Sequence, residues 1–386
     1  MGIKQAQRLT HLPPYLFAEL DRQRNEVAAR GVDIIDLGVG DPDLPTPATV
    51  LAAAHAALDD PANHRYPSYQ GLRAFREAAA EFMQRRFGVA VNPDTQVCAL
   101  IGSKEGIAHA PLALVDPGDA VLYPCPGYPV YRVATLFAGG EPVPMPLRAD
   151  NGFLPDFDAV PAAAAARATA MFLNYPNNPT GATADAAFFR RAVDFAQQRD
   201  LVILHDMAYS EIAFDGYRPP SILEIPGAME RAVEFHSLSK TASMAGWRIG
   251  FVAGNAQLVA SIGKVKTNID SGVFGAVQRA GIAALNLDPA TQEEIVATYR
   301  RRRDLVVDGL NAAGFVVNKP RATFYIWFAV PGGDSAKFAS ELLQRTGVLV
   351  TPGVGFGPEG EGFARIALCR DEERLIEAMA RLVRHK

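Results

Sequence analysis

The segment FHSLSKTASMAGWRIGF, Phe235 to Phe251, places one lysine, Lys240, and one arginine, Arg248, beside Ser237 and Ser239 among small and apolar residues. Long cationic side chains ordinarily lie in water. A lysine amine attacks carbonyls only when neutral, and burial or a neighbouring cation lowers its pKa toward that state. Lysines so placed form Schiff bases, including with pyridoxal phosphate. A guanidinium fork suits a phosphate dianion, and serine hydroxyls add donors. Together the four side chains suit an aldehyde that also carries a phosphate. Taken alone, Lys240 reads better as a lysine snorkelling out of a loop.

Other segments supply complementary chemistry. In IGSKEGIAHA, Gly102, Ser103 and Lys104 stand where a strand ends and a helix begins, and free N–H groups at a helix start bind phosphate. An ordinary N-cap serine explains the same residues. In LVILHDMAYSEI, Asp206 ends an apolar strand and Tyr209 follows three residues later. A carboxylate there needs a positive partner; a pyridinium N–H is one, and a helix-capping role is the alternative. LNYPNNPTG crowds Asn, Pro and Gly at a strand end, which marks a turn, and leaves the Asn178 amide free to donate to a phenolate-like oxygen. GFARIALC puts Arg365 inside an apolar strand, where it needs an anion: a substrate carboxylate or a structural one.

These residues must be held by a frame. Apolar runs at 97–102, 120–124, 169–176, 201–206, 232–237 and 248–254 alternate with helical patterns such as Gly71–Phe87 and Ala184–Gln198. Runs without polar alternation fit a mostly parallel sheet covered on both faces, with its site at the carboxyl ends of the strands. The expected fold class is therefore α/β. From about residue 286 a charged helical stretch, the β segment ATFYIWFAV and shorter elements suggest a smaller α+β lobe. The division expected is an N-terminal segment, 1–46, joining the small lobe; a large lobe, 47–285; and a small C-terminal lobe, 286–386.

Bulk properties narrow the function. A chain of 386 residues with net charge −4 is an ordinary globular composition with no electrostatic footprint for nucleic acid. Arg300, Arg301, Arg302 and Arg303 read as a solvated helix face. Cys98, Cys125 and Cys369 form no close pair for a disulfide framework or a metal ligand set. No apolar stretch approaches the roughly 20 residues of a membrane helix, and no signal core opens the chain, so the cytoplasm is expected. The GVGDPD stretch at 38–43 has Gly-x-Gly without a third glycine, which weighs against a dinucleotide-binding turn.

The order and spacing of Asn178, Asp206, Lys240, Arg248 and Arg365, with Ser-x-Ser-Lys, Asn-Pro-Thr-Gly and Asp-x-x-Tyr, resemble the class I/II aminotransferases of pyridoxal-phosphate fold type I over nearly the whole chain. The resemblance implies a cofactor-bonding Lys240 that shuttles a proton and an Asp206 paired with the cofactor ring nitrogen. It implies Asn178 and Tyr209 on the ring oxygen, and Ser103, Lys104, Ser237 and Arg248 on the phosphate, with Gly102 and Ser239 beside them. Tyr128 would stack on the ring, and Tyr66 would reach the phosphate of a neighbouring subunit in a homodimer. Arg365, helped by the backbone of Gly38, would fork onto the substrate α-carboxylate, with Asn178 close to it. The partners implied are an amino acid and a 2-oxo acid in ping-pong transfer.

Within that family, LPPYLFAELD, GVGDPDLPTP, RYPSYQGLRAFR and KTNIDSGVF are most similar to LL-diaminopimelate aminotransferases, which implies lysine biosynthesis, with Tyr15 and Asn268 as substrate contacts. Some members carry an acidic residue in the loop that here reads Pro67-Ser68-Tyr69-Gln70. That departure keeps aspartate- or alanine-type transfer, and a carbon–sulfur lyase, as alternatives.

Overall fold

Seven strands pair into one sheet in a computed structural model that describes residues 3–10, 12 and 16–384. Across the sheet they are Val97–Leu100, Gly250–Gly254, Ala232–Ser237, Val202–Asp206, Ala168–Asn174, Ala120–Cys125 and Glu141–Pro146. Gly250–Gly254 is antiparallel to both neighbours, and every other pair is parallel. The sheet thus has the mostly parallel α/β character expected from the unbroken apolar runs. Alternate residues feed opposite faces, as strand geometry requires. Met171, Leu173 and Ile203 join one core with Phe75, Phe82 and Phe189; Phe172 and Leu204 join another with Ile107 and Val121.

The edge strand Glu141–Pro146 was not legible as a strand. Its sequence, EPVPMP, has a proline at every second position. Proline cannot donate to a ladder and is tolerated at an edge, which is where this strand lies. Another expected boundary moves: the strand read as 248–254 begins at Gly250, and Arg248 precedes it in a left-handed conformation, φ 55°. Its side chain is exposed, so the setting of Arg248 is less apolar than the sequence suggested.

A third core gathers Ile35 and Leu37 with Tyr299, Leu310, Phe324, Ile366 and Leu375. Ile35–Asp36 pairs in parallel with Val348–Leu349, and Thr351–Pro352, Phe363–Ala367 and Tyr325–Ala329 form an antiparallel sheet. The helix Pro289–Ala312 lies on this core, with Asp288 accepting the Thr291 N–H at its start. It corrects the reading of the arginine run. Arg302 and Arg303 are buried, because they fall on the same face as Ile295, Tyr299, Val306 and Leu310. Arg303 pairs with Asp215 and Asp304, and Arg302 with Asp43.

Beneath the carboxyl end of the parallel strands lies a closed polar knot around Glu234, which has no solvent exposure. Its carboxylate accepts from Ser221 Oγ at 2.6 Å and the Ile222 N–H at 2.8 Å, and it meets His205 Nδ1 at 2.9 Å and His236 Nε2 at 3.2 Å. His205 Nε2 accepts the Tyr175 N–H, so its proton sits on Nδ1, toward Glu234. Burial alone would raise the Glu234 carboxyl; the hydrogen bonds from both histidines outweigh it and hold the group well below the usual carboxylate range. Glu234→Ala strands all four partners and is expected to cost roughly 3–5 kcal/mol in urea unfolding. A loss below about 1 kcal/mol would contradict this role.

Candidate active site

The site assembles because parallel strands end on one side of the sheet, where loops and helix starts converge. Asn174 and Asp206 are register partners at neighbouring strand ends, and Ser237 closes the next strand. Lys240 lies in the short helix Leu238–Thr241 that follows. Ser103 opens the helix Ser103–Leu114, and Tyr131 lies in the helix Val130–Ala138.

Asp206 is buried. Its Oδ2 accepts from the Tyr131 hydroxyl at 2.8 Å, while its Oδ1 is buried with no hydrogen-bond partner. Burial pushes its carboxyl up to about 6, against the lowering effect of the Tyr131 hydrogen bond and of His205. Asp206 caps no helix, so the capping alternative does not apply. An orphaned carboxylate oxygen in a dry site is a receptor for an N–H donor. Tyr131, stacked 4.8 Å from Phe172, is a residue that the sequence reading passed over. It stands three positions after Tyr128, one helical step inward.

Lys240 is half-buried; its Nζ donates to the Gly40 carbonyl at 3.0 Å and lies 5.5 Å over the Phe324 ring. Burial lowers its pKa, opposed by Cys369 and Asp41 and reinforced by Arg365 and Arg248. The amine therefore stands closer to its nucleophilic form than a surface lysine does.

The anion cup is built around Gly102. Its φ of 74° favours glycine, and a Cβ there would sit 2.3 Å from Arg248 Nη2. Arg248 Nη1 donates to the Ala245 carbonyl at 2.8 Å and reaches Ser239 Oγ at 3.5 Å. Ser237 Oγ accepts the Ser239 N–H, and Ser103 is buried at the helix start. The first N–H groups of a helix have no acceptor within it. These groups bring a guanidinium, hydroxyls and helix N–H donors to one place. The Lys104 Nζ lies 5.6 Å over the half-buried Tyr128 ring.

Arg365 is buried and forms no ion pair among the described residues. Its Nη1 donates to Asn178 Oδ1 at 2.8 Å and its Nη2 to the Gly38 carbonyl at 2.6 Å. The guanidinium lies 4.2 Å over Tyr325 and 4.6 Å over Phe356, and Nε has no partner. The structural-carboxylate alternative therefore finds no partner here. A guanidinium only donates, so the Asn178 atom facing it is the amide oxygen, and the amide nitrogen points elsewhere. Asn178 is itself fixed by Asn174 Oδ1, which accepts its backbone N–H at 2.8 Å. The contribution of Gly38 comes through its carbonyl, because its N–H donates to Asp36 Oδ1 at 2.9 Å. The Tyr209 hydroxyl is buried and shares a hydrogen bond of 3.1 Å with that of Tyr325.

Two expected contacts, Tyr66 and Asn268, do not join this constellation within one chain. Tyr66 is 89% exposed. Asn268 is exposed and donates its amide to the Lys264 carbonyl. Tyr15 lies outside the described residues. A cleft of about 510 Å³ near Arg85, Tyr217 and Gln292 includes none of Lys240, Asp206 or Arg365, so chemistry and not cavity size identifies the site.

Pyridoxal phosphate fits this donor set: an amine held toward neutrality, a buried acceptor lacking an N–H donor, and a glycine-lined anion cup. The raised Asp206 pKa carries a sign. The folded chain binds this proton more tightly than the unfolded chain, so the associated stability is full below pH 4 and lost as pH rises through about 6. Asp206→Asn should then make the ligand-free chain more stable in urea at pH 8 by up to about 3 kcal/mol. The gain should vanish near pH 4, and a variant less stable than wild type at pH 8 would refute the strain.

The family model for aminotransferase class I and II matches residues 32–382. An LL-diaminopimelate aminotransferase of Desulforudis audaxviator is 55% identical over 99% of this chain and 98% of its own. One from Syntrophobacter fumaroxidans is 54% identical over 99% of each. The substrate-bound BacF structure from Bacillus subtilis superposes with TM-score 0.95 at 37% identity, covering 100% of this chain and 98% of that one.

Proposed function

The chain belongs to the class I and II aminotransferase family, and we propose that it moves an amino group from LL-diaminopimelate to a 2-oxo acid, in lysine biosynthesis, by ping-pong transfer. The observation that carries the transaminase chemistry is the pairing of a half-buried Lys240 with Asp206 Oδ1, buried and without a donor. The names of the relatives support the substrate.

Pyridoxal phosphate, when bound, supplies an electron-accepting ring that draws charge from the substrate Cα. Asp206 Oδ1 would hold the proton on the ring nitrogen and keep the ring electron-poor. Lys240 Nζ would bond the cofactor at rest and, once released, take the proton from the substrate Cα and deliver it to the cofactor C4′. The Asn178 amide nitrogen and the Tyr209 hydroxyl would serve the ring oxygen, and Tyr128 its face. Gly102, Ser103, Lys104 through its backbone, Ser237, Ser239 and Arg248 would hold the phosphate. Arg365 would take the α-carboxylate as a two-pronged hydrogen bond. Phe324, Tyr325 and Phe356 surround these cations with rings and limit water.

We also place the protein in the cytoplasm as a homodimer. Among the described residues no helix is long and apolar enough to cross a membrane. Support for the dimer comes from Tyr66, Tyr69, Ile269 and Phe274, large apolar side chains left exposed on segments that touch each other, with Gly272 against Pro67 and Ser68. In that assembly Tyr66 and Asn268 would reach the neighbouring site, and Tyr15 would contact substrate.

Glutamate formed from 2-oxoglutarate is the readout. With LL-diaminopimelate as donor the rate should exceed that with aspartate or alanine by at least about 100-fold in kcat/KM. Comparable rates with aspartate or alanine would favour the broader alternative, and pyruvate release from cystathionine without glutamate would favour a lyase.

A further inference from the structure

The GVGDPD segment, 38–43, is met by three cations from three different elements. Arg365 Nη2 donates to the Gly38 carbonyl at 2.6 Å, and Lys240 Nζ donates to the Gly40 carbonyl at 3.0 Å. Arg302 grips Asp43 with both prongs, Nη1 to Oδ1 at 2.6 Å and Nη2 to Oδ2 at 2.8 Å. Two of these cations are the reactive amine and the carboxylate-seeking guanidinium. The third stands on the buried face of the helix Pro289–Ala312 and has no place in the reaction.

Arg302 does more than fill that face. Its Nη1 also donates to the Leu368 carbonyl at 3.0 Å, just past the strand that carries Arg365. The start of the segment is fixed by the ladder: Leu37 N–H donates to the Leu349 carbonyl, and its own carbonyl accepts from Ala367 N–H. The end is fixed by Asp43. Between these anchors the backbone lies on Tyr325, so close that a Cβ at Gly40 would fall 2.1 Å from the tyrosine oxygen. A glycine-containing stretch is permissive on its own, so its anchors decide where its carbonyls point. The bidentate ion pair is the stronger kind of anchor.

We propose that Asp43 and Arg302 are a positioning pair that sets affinity for the amino acid α-carboxylate. Arg302 ties the segment, through Asp43, to the strand that carries Arg365, through the Leu368 carbonyl, and so backs the Gly38 carbonyl, which Thr351 Oγ1 also bonds at 2.9 Å, against the Arg365 fork. The inference rests on the aminotransferase reading. With the clamp loosened, Arg365 keeps its charge and its Asn178 contact but loses orientation. Substrate binding weakens, while the cofactor cup around Gly102 and Arg248, built from other elements, is untouched.

The test compares wild type, Asp43→Asn, Asp43→Glu and Arg302→Lys, all loaded with pyridoxal phosphate, using the donor that wild type uses best. In Asp43→Asn and Arg302→Lys, KM for the donor and for 2-oxoglutarate should rise about tenfold, with kcat within about twofold. Bound cofactor per chain should equal wild type, and Asp43→Glu should recover part of the KM. An unchanged KM, or a fall in kcat and cofactor content at constant KM, overturns the proposal. Should one variant not fold, the other carries the same comparison. A wild type that transaminates no amino acid fails the underlying reading. An active wild type with indistinguishable variants fails this inference alone.

Discussion

Everything at this site depends on buried charge left without a counterion of its own. Asp206 keeps one carboxylate oxygen dry and unbonded, and Arg365 is sunk among aromatic rings with only neutral acceptors. Charges in such surroundings cost free energy unless paired. The chain holds them apart by giving each a rigid support on a separate element: Tyr131 from a helix behind Asp206, Asn178 and Gly38 around Arg365. An amino acid joined to a protonated ring is the kind of ligand that completes both at once.

The frame explains how the supports stay in place. Parallel strands bring Asn174, Asp206 and Ser237 side by side at their ends, so residues far apart in sequence become neighbours by register. Below them the Glu234 knot ties two adjacent strands to the Ser221 turn with every acceptor used. The contrast is physical. The polar cluster under the site is closed and satisfied, whereas the polar groups in the site are open, and perturbed groups of that kind mark function.

The chemistry was legible because it sits in short motifs with unusual residues at strand ends. Lys240, Asp206 and Arg365 each put a charge in or beside an apolar run, Asn178 lay in a turn that looked ordinary, and the fold brings the four to one end of the sheet. What was not legible depended on side-chain direction. Tyr131 was visible as a letter, but only the helix shows that it turns toward Asp206. Arg302 and Arg303 looked solvated because four arginines in a row dominate any composition reading. The apolar stripe at Ile295, Tyr299, Val306 and Leu310 carried the contrary signal, since helical spacing places positions 302 and 303 between them. The strand Glu141–Pro146 was hidden by its prolines, which an edge tolerates. Residues expected to act across a subunit boundary, Tyr66 and Asn268, meet nothing of the site within a single chain.

The central claim is that Lys240 is the amine that bonds the cofactor. Its most direct test is borohydride reduction of the protein incubated with pyridoxal phosphate, followed by proteolysis and mass mapping of the pyridoxyl label. The account expects label on the peptide containing Lys240, lost in Lys240→Ala. Label confined to another lysine such as Lys104, or no label at all, would contradict it.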